Sequence, residues 1–219
     1  MSNYTLVIGN KNYSSWSLRP WFWMKQNGIP FTEKRVSLFV ESTRSELEPY
    51  FSNYKVPVLQ DGELRVWDTI AIMEYLADKH PEASGWPKER AARAVARSVS
   101  AEMHSSFTAL RSAMPMNCRK HFPGFRYSDS VQNDIDRIIA LWAYCRNLYG
   151  QNGPWLFGDY SIADAMYAPV VLRFQGYDVK LNGAAADYVN TVLKNEHIQD
   201  WIEAGKQEKE VIQQDEVQV

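Results

Sequence analysis

Cysteine is scarce: the 219 residues hold only two, Cys118 and Cys145. Both fall in the second half, too few for a disulfide framework or a cysteine-rich metal site, and they read as small apolar residues or inert thiols. An excess of either charge is also lacking. Lys and Arg number 24 against 26 Asp and Glu, so the net charge of −2 offers no general attraction to polyanions, and no nucleic-acid partner is expected. No apolar run approaches the roughly 20 residues of a spanning helix, so no membrane partner is expected. The opening residues, MSNYTLVIGNKNYSSW, show no basic segment followed by an apolar stretch and a small-residue cleavage site, from which a cytoplasmic address is expected. What remains is the make-up of a globular chain: 45% hydrophobic residues, a mean hydropathy of −0.42, and a length that allows one large domain or two small ones.

Tyr4 to Gly9 (YTLVIG) is a short apolar run ending in glycine, and it reads as a strand before the polar loop NKNYSS. From Trp16, Leu18, Trp21, Phe22 and Met24 recur at helical spacing, with Pro20 in the first turn and Asn27-Gly28 as the stop. Phe31 to Leu38 reads as a second strand, which completes a βαβ crossover and predicts a parallel pair. A polar helical stretch near Glu41 to Phe51 precedes Lys55 to Leu59 (KVPVL), a strand that carries a proline. The turn Asp61 to Glu63, a return strand Leu64 to Trp67, and a helical face from Ile70 to about Asp78 then form ββα.

Two prolines, a glycine and a serine gather between His80 and Lys88 and read as a linker, after which no strand pattern follows. Val95, Val99, Met103, Phe107, Leu110 and Met114 predict one long helix from Glu89 to Ala113, and Val131 to Cys145 predict another ending at Gly150. A third helix opens on a capping box, Ser161 to Asp164, and the last lies near Ile198 to Lys206 before a polar tail expected to fray. The expected division is 1–79, a mixed domain; 80–88, the linker; and 89–219, an all-helical domain.

Four separated segments carry a resemblance over nearly the whole chain: YSSWSLRPW at Tyr13 to Trp21, KVPVL at Lys55 to Leu59, WDTIAIMEYL at Trp67 to Leu76, and SIADAMYAP at Ser161 to Pro169. In order and spacing they resemble the glutathione transferase family. The resemblance implies an α/β thioredoxin-like N-terminal domain (βαβ-ββα) joined to an all-α C-terminal domain. In such a unit the first strand-to-helix loop faces an anion at a helix N-terminus, where the dipole favours it. Redox members place cysteine there; this loop has Ser14 and Ser15, so the reactive thiol would arrive with glutathione as co-substrate. A hydroxyl that donates to the thiolate lowers its pKa from about 8.5, and a two-unit depression takes about 2.7 kcal/mol.

SSWSLR is similar to the zeta-class pattern SSCxWR, whose first serine contacts sulfur, which implies that role for Ser14 with Ser15 as the alternative. Serine is also a common loop and cap residue. Val56-Pro57 resembles the family's Val-Pro step with a cis peptide, which turns the Val56 backbone toward the cysteinyl part of glutathione. Asp68-Thr69 falls where the family has Glu-Ser or Asp-Ser, so Thr69 would hold the γ-glutamyl carboxylate and Asp68 would face its ammonium. Lys55 would reach the glycyl carboxylate. The second substrate would lie between the domains, against His104, Phe107, Arg111 and Met114; a stripe at that spacing is also ordinary core. Arg111 suits an anionic acceptor. His104 has no partners at metal-ligand spacing, so no metal site is expected.

The resemblance implies conjugation of glutathione to a small electrophile. The zeta-like loop also fits maleylacetoacetate isomerase, although the position of that class's substrate-binding arginine falls at Gly176, with Arg173 one turn earlier. A non-catalytic member that binds glutathione or another ligand would carry much the same motifs. A two-fold homodimer is implied as well, with Tyr50 and Phe51 as candidate anchors or as internally packed aromatics.

Overall fold

The computed structural model describes residues 4–50 and 53–217. Its sheet has the order β2-β1-β3-β4. β1 (Tyr4–Ile8) pairs in parallel with β2 (Thr32–Arg35), Thr5 lying opposite Thr32, and antiparallel with β3 (Val58–Asp61), Leu6 opposite Leu59. β4 (Leu64–Val66) returns antiparallel to β3. Apart from Thr5, β1 is apolar and buried because both faces of the sheet are covered. Leu6 and Ile8 join the main core, whereas Val7 joins Val36, Leu47 and Val58 on the opposite face.

α1 (Ser15–Gln26) and α3 (Thr69–Lys79) pack together on the main-core side, and the short α2 (Thr43–Leu47) supplies Leu47 to the other. The helical region then runs through α4 (Arg90–Ser105), α5 (Thr108–Ala113), α6 (Asp129–Tyr149), α7 (Ile162–Gly176), α8 (Gly183–Leu193) and α9 (Glu196–Gln207). α7 is its axis. Every residue from Ile162 to Phe174 is buried, and the helix packs against α1 on one side and α4 on the other. A helix with no polar face belongs in a core. At its start, Asp164 accepts from the Ser161 amide at 2.8 Å, the Ser161 hydroxyl at 3.0 Å and the Leu156 amide at 3.0 Å, so the expected capping box also ties down the preceding loop. Among the described residues, no helix is long and apolar enough to cross a membrane.

Several expectations need correction. The proline-bearing strand begins at Val58, since Pro57 has no amide hydrogen to give a ladder. The polar stretch before it forms only α2 and a 3-10 turn, Glu48–Tyr50. Tyr50 is half-buried against the Val7, Val36, Leu47 and Val58 cluster, while Phe51 lies outside the described residues. Pro20 sits in the second turn of α1. The single long helix from Glu89 to Ala113 is two helices: Phe107 adopts φ 58° with its ring buried, and the freed carbonyls of His104 and Ser106 accept from Arg111 Nη1 at 3.2 Å each. α8 was not expected, although Ala185, Tyr188, Val189 and Val192 carry its buried face at helical spacing.

The tail does not fray over its described length. Glu208 accepts from the amides of Lys11 and Asn12 at 2.8 and 3.0 Å and pairs with Arg35 at 3.0 Å, and Tyr13 donates to Glu216. Both strand-to-helix loop and tail are thereby fixed in one place.

Candidate active site

Two adjoining cavities open between the sheet region and the helices. The smaller, about 410 Å³, is lined by Lys55, Val56, Pro57, Asp68 and Thr69 from the sheet region, with His104 and Arg111 facing them. The larger, about 630 Å³, is lined by Ser14 and Ser15 together with Arg111, Arg173 and the tail residues Gln214 and Asp215. Trp16, Lys55, Val56 and Arg111 border both, so the two form neighbouring compartments of one cleft.

The loop after β1 brings Ser14 and Ser15 to the start of α1. Their amides are already used, donating to the carbonyls of Asn10 and Tyr13 at 2.8 Å each, so what the pair offers a ligand is its hydroxyls. Ser14 is the N-cap residue but makes no side-chain cap. Its hydroxyl lies 2.8 Å from that of Ser17, whose oxygen accepts from the Gly9 amide at 3.1 Å. The Ser15 hydroxyl oxygen accepts from Arg173 Nη2 at 3.3 Å. An oxygen that accepts from a cation keeps its own proton available and becomes a better donor.

Pro20 shapes the smaller cavity. With no amide hydrogen, it leaves the carbonyl of Trp16 without its helical partner, and the Thr69 hydroxyl donates to that carbonyl at 3.0 Å. The buried hydroxyl proton of Thr69 is therefore committed to α1, which leaves it unavailable for the expected contact to a carboxylate. Asp68, the N-cap residue of α3, makes no side-chain cap; its carboxylate lies 3.4 Å from His104 Nε2 at the cavity wall. The Val56-Pro57 peptide is cis.

On the helical side the expected set divides. His104 faces the smaller cavity, packed edge-on against Trp16, and Arg111 borders both. Phe107 and Met114 are core residues that line neither; the break between α4 and α5 takes them off the cavity face. Met114 contributes its carbonyl, which accepts from Arg173 Nε at 2.8 Å. Arg173 itself is the residue that spacing did not place in the cleft. Its signal was present: an arginine between leucine and phenylalanine on a helix without a polar face must be satisfied internally.

A model of the glutathione S-transferase N-terminal domain matches residues 13–79. A probable maleylacetoacetate isomerase of Caenorhabditis elegans is 26% identical over 185 residues, covering 83% of this chain and 85% of the relative. Glutathione S-transferase T1 of Arabidopsis thaliana is 26% identical over 202 residues, 83% of this chain and 75% of the relative. The fold is shared with a glutathione transferase homolog from Burkholderia solved with bound glutathione: 22% identity, TM-score 0.69, 94% of this chain and 99% of that one. Residues 13–79 thus match the glutathione S-transferase N-terminal domain, and the thioredoxin-like first region with its all-helical remainder has the glutathione transferase fold.

Proposed function

We propose that the protein is a glutathione transferase that ionises the thiol of bound glutathione with a serine hydroxyl and presents it to a small electrophile. The observation that carries this is the Ser15 hydroxyl, which accepts from a buried arginine while bordering the larger cavity. Its proton is free to donate to sulfur, and a neighbouring cation favours the thiolate over the thiol. Ser15 is thus the preferred donor, with Ser14 beside it shaping the loop. Glutathione would occupy the smaller cavity: its cysteinyl part along the backbone of Val56, its γ-glutamyl end at the α3 N-terminus with the ammonium toward Asp68, and its glycyl end toward Lys55. The polar residues Lys55, Asp68 and Thr69 along this cavity, and the serines in the cavity that adjoins it, support that fit. The electrophile would approach from the larger cavity. A two-fold homodimer working in the cytoplasm is part of the same proposal.

A second reading, glutathione-dependent isomerisation of the maleylacetoacetate type, is favoured by the nematode relative and by arginines beside the serines, although Gly176 stands where that class has its arginine. Retention on immobilised glutathione, followed by conjugation rates for wild type, Ser14→Ala and Ser15→Ala, tests the proposal. Retention with loss of rate in Ser15→Ala is expected. Retention with no turnover in any assay would make the protein a binding module, and equal rates in all three proteins would remove the serines from the chemistry.

A further inference from the structure

Two arginines stack on Trp16 and a third lies beside them. The guanidinium carbons of Arg19 and Arg111 lie 4.4 and 5.0 Å from the Trp16 ring centroid, and Arg173 reaches the adjacent Ser15. Arg19 is 1% exposed and Arg173 6%. Among the described residues, every hydrogen bond these three make goes to a neutral oxygen: the carbonyls of Met166 and Ser15 for Arg19, those of His104 and Ser106 for Arg111, and the Met114 carbonyl and Ser15 hydroxyl for Arg173. Arg173 Nη1 is buried and has no partner, although the residue borders the larger cavity. Burial lowers the pKa of all three, and repulsion from Arg111 adds to the shift of Arg173, which falls to about 10.

Cations held out of water without a counter-ion are costly, and an anion entering the site relieves that cost. Asp68 acts on Arg19 from the smaller cavity, and Asp215 of the tail acts on Arg173 from the larger one. Neither lies within ion-pair distance of an arginine of this cluster. The Asp215 carboxyl is itself held above its ordinary range, first by burial and then by Glu216, against the pull of Arg173. The rest of the larger cavity includes Leu38, Phe39, Pro115 and Met116, an apolar lining.

We propose that the second substrate is an electrophile with an apolar body and a carboxylate, and that Arg173 Nη1 and the Arg111 guanidinium hold that carboxylate. A planar carboxylate matches the fork of a guanidinium. This rests on the transferase reading above and names its substrate class. With a chloroarene probe, the thiolate sulfur forms a bond to the ring carbon bearing chlorine, the C–Cl bond breaks, chloride leaves with the electron pair, and the thiol proton passes to water.

Two measurements separate the anion site from the chemistry. Calorimetry compares 3,5-dinitrobenzoate with the neutral 3,5-dinitrobenzamide on wild type, Arg111→Gln and Arg173→Gln, the half-buried Arg111 serving where the Arg173 variant fails to fold. Wild type should bind the benzoate roughly tenfold more tightly, the scale of one charge-assisted hydrogen bond, and Arg111→Gln should bring the ratio toward one. Equal affinities in wild type, or a preference that survives in every folded variant, would overturn the proposal. Conjugation of 4-chloro-3,5-dinitrobenzoate and of its methyl ester, each relative to its uncatalysed rate, reports on the chemistry. A binding preference without turnover of either would sink the transferase reading and leave the anion site standing; turnover of both with no binding preference would do the reverse.

Discussion

The two walls of the cleft are built on different principles. On the sheet side, Lys55, Val56, Asp68 and Thr69 sit at the ends of short elements and offer main-chain groups, a helix N-terminus and partly exposed charges. On the helical side, Arg111 and Arg173 come from segments about 60 residues apart in sequence, and Arg173 is buried charge with an unused donor. A wall of local backbone geometry suits a ligand of fixed shape. A wall of buried charge selects its ligand by sign. Ser15 stands at the junction, on a helix of the first region and bonded to an arginine of the second.

Breaking that junction should have the largest effect. Ser15→Ala should lower kcat/KM for conjugation about 100-fold, the scale of losing one donor to a developing or stabilised anion. It should also raise the pKa of bound glutathione, read from thiolate absorbance against pH, and Ser14→Ala should do less of both. A smaller effect should follow inside the helical wall. Asp164→Ala leaves the amides of Ser161 and Leu156 without their acceptor and should cost about 3 kcal/mol, read as a lower urea midpoint at constant slope. If α7 is the rigid backing of the arginine wall, the preference for benzoate should weaken together with stability in this variant.

On the sheet wall, Thr69→Val removes the donor to the Trp16 carbonyl freed by Pro20 and should cost about 1 to 2 kcal/mol in thermal unfolding. Weaker glutathione binding without any change in the benzoate preference would keep the two walls distinct; a change in both would merge them. Asp215→Asn removes a carboxylate that acts on Arg173 and should tighten benzoate binding a few-fold. The least change belongs to the thiols: burial pushes Cys118 and Cys145 up to about 12, so neither should react with alkylating reagents in the folded protein at neutral pH.

The sheet wall was legible in the sequence because its signals are contiguous. A Val-Pro step, a two-residue cap and a serine pair each sit within a few positions, and turn and capping chemistry is local. The helical wall was read less well. Apolar spacing continued through Ser106 and Phe107, so it gave no notice that the helix breaks there, and Phe107 and Met114 were placed in the cavity when they belong to the core. The tail looked polar and free because its partners, Lys11, Asn12 and Arg35, lie about 175 to 200 residues away in the chain.

Sequence alone determined the order of strands and helices up to the linker, the family resemblance, and the absence of cysteine from the loop before α1, since each depends on neighbours along the chain. Tertiary structure decided which hydroxyl accepts from Arg173, which carbonyl Thr69 completes, and that two arginines share one aromatic ring with a third close by, none of them within ion-pair distance of a carboxylate among the described residues. Those facts depend on groups brought together across α1, α3, α5 and α7. Burial and pairing are properties of the packed whole, and no spacing rule along one segment contains them.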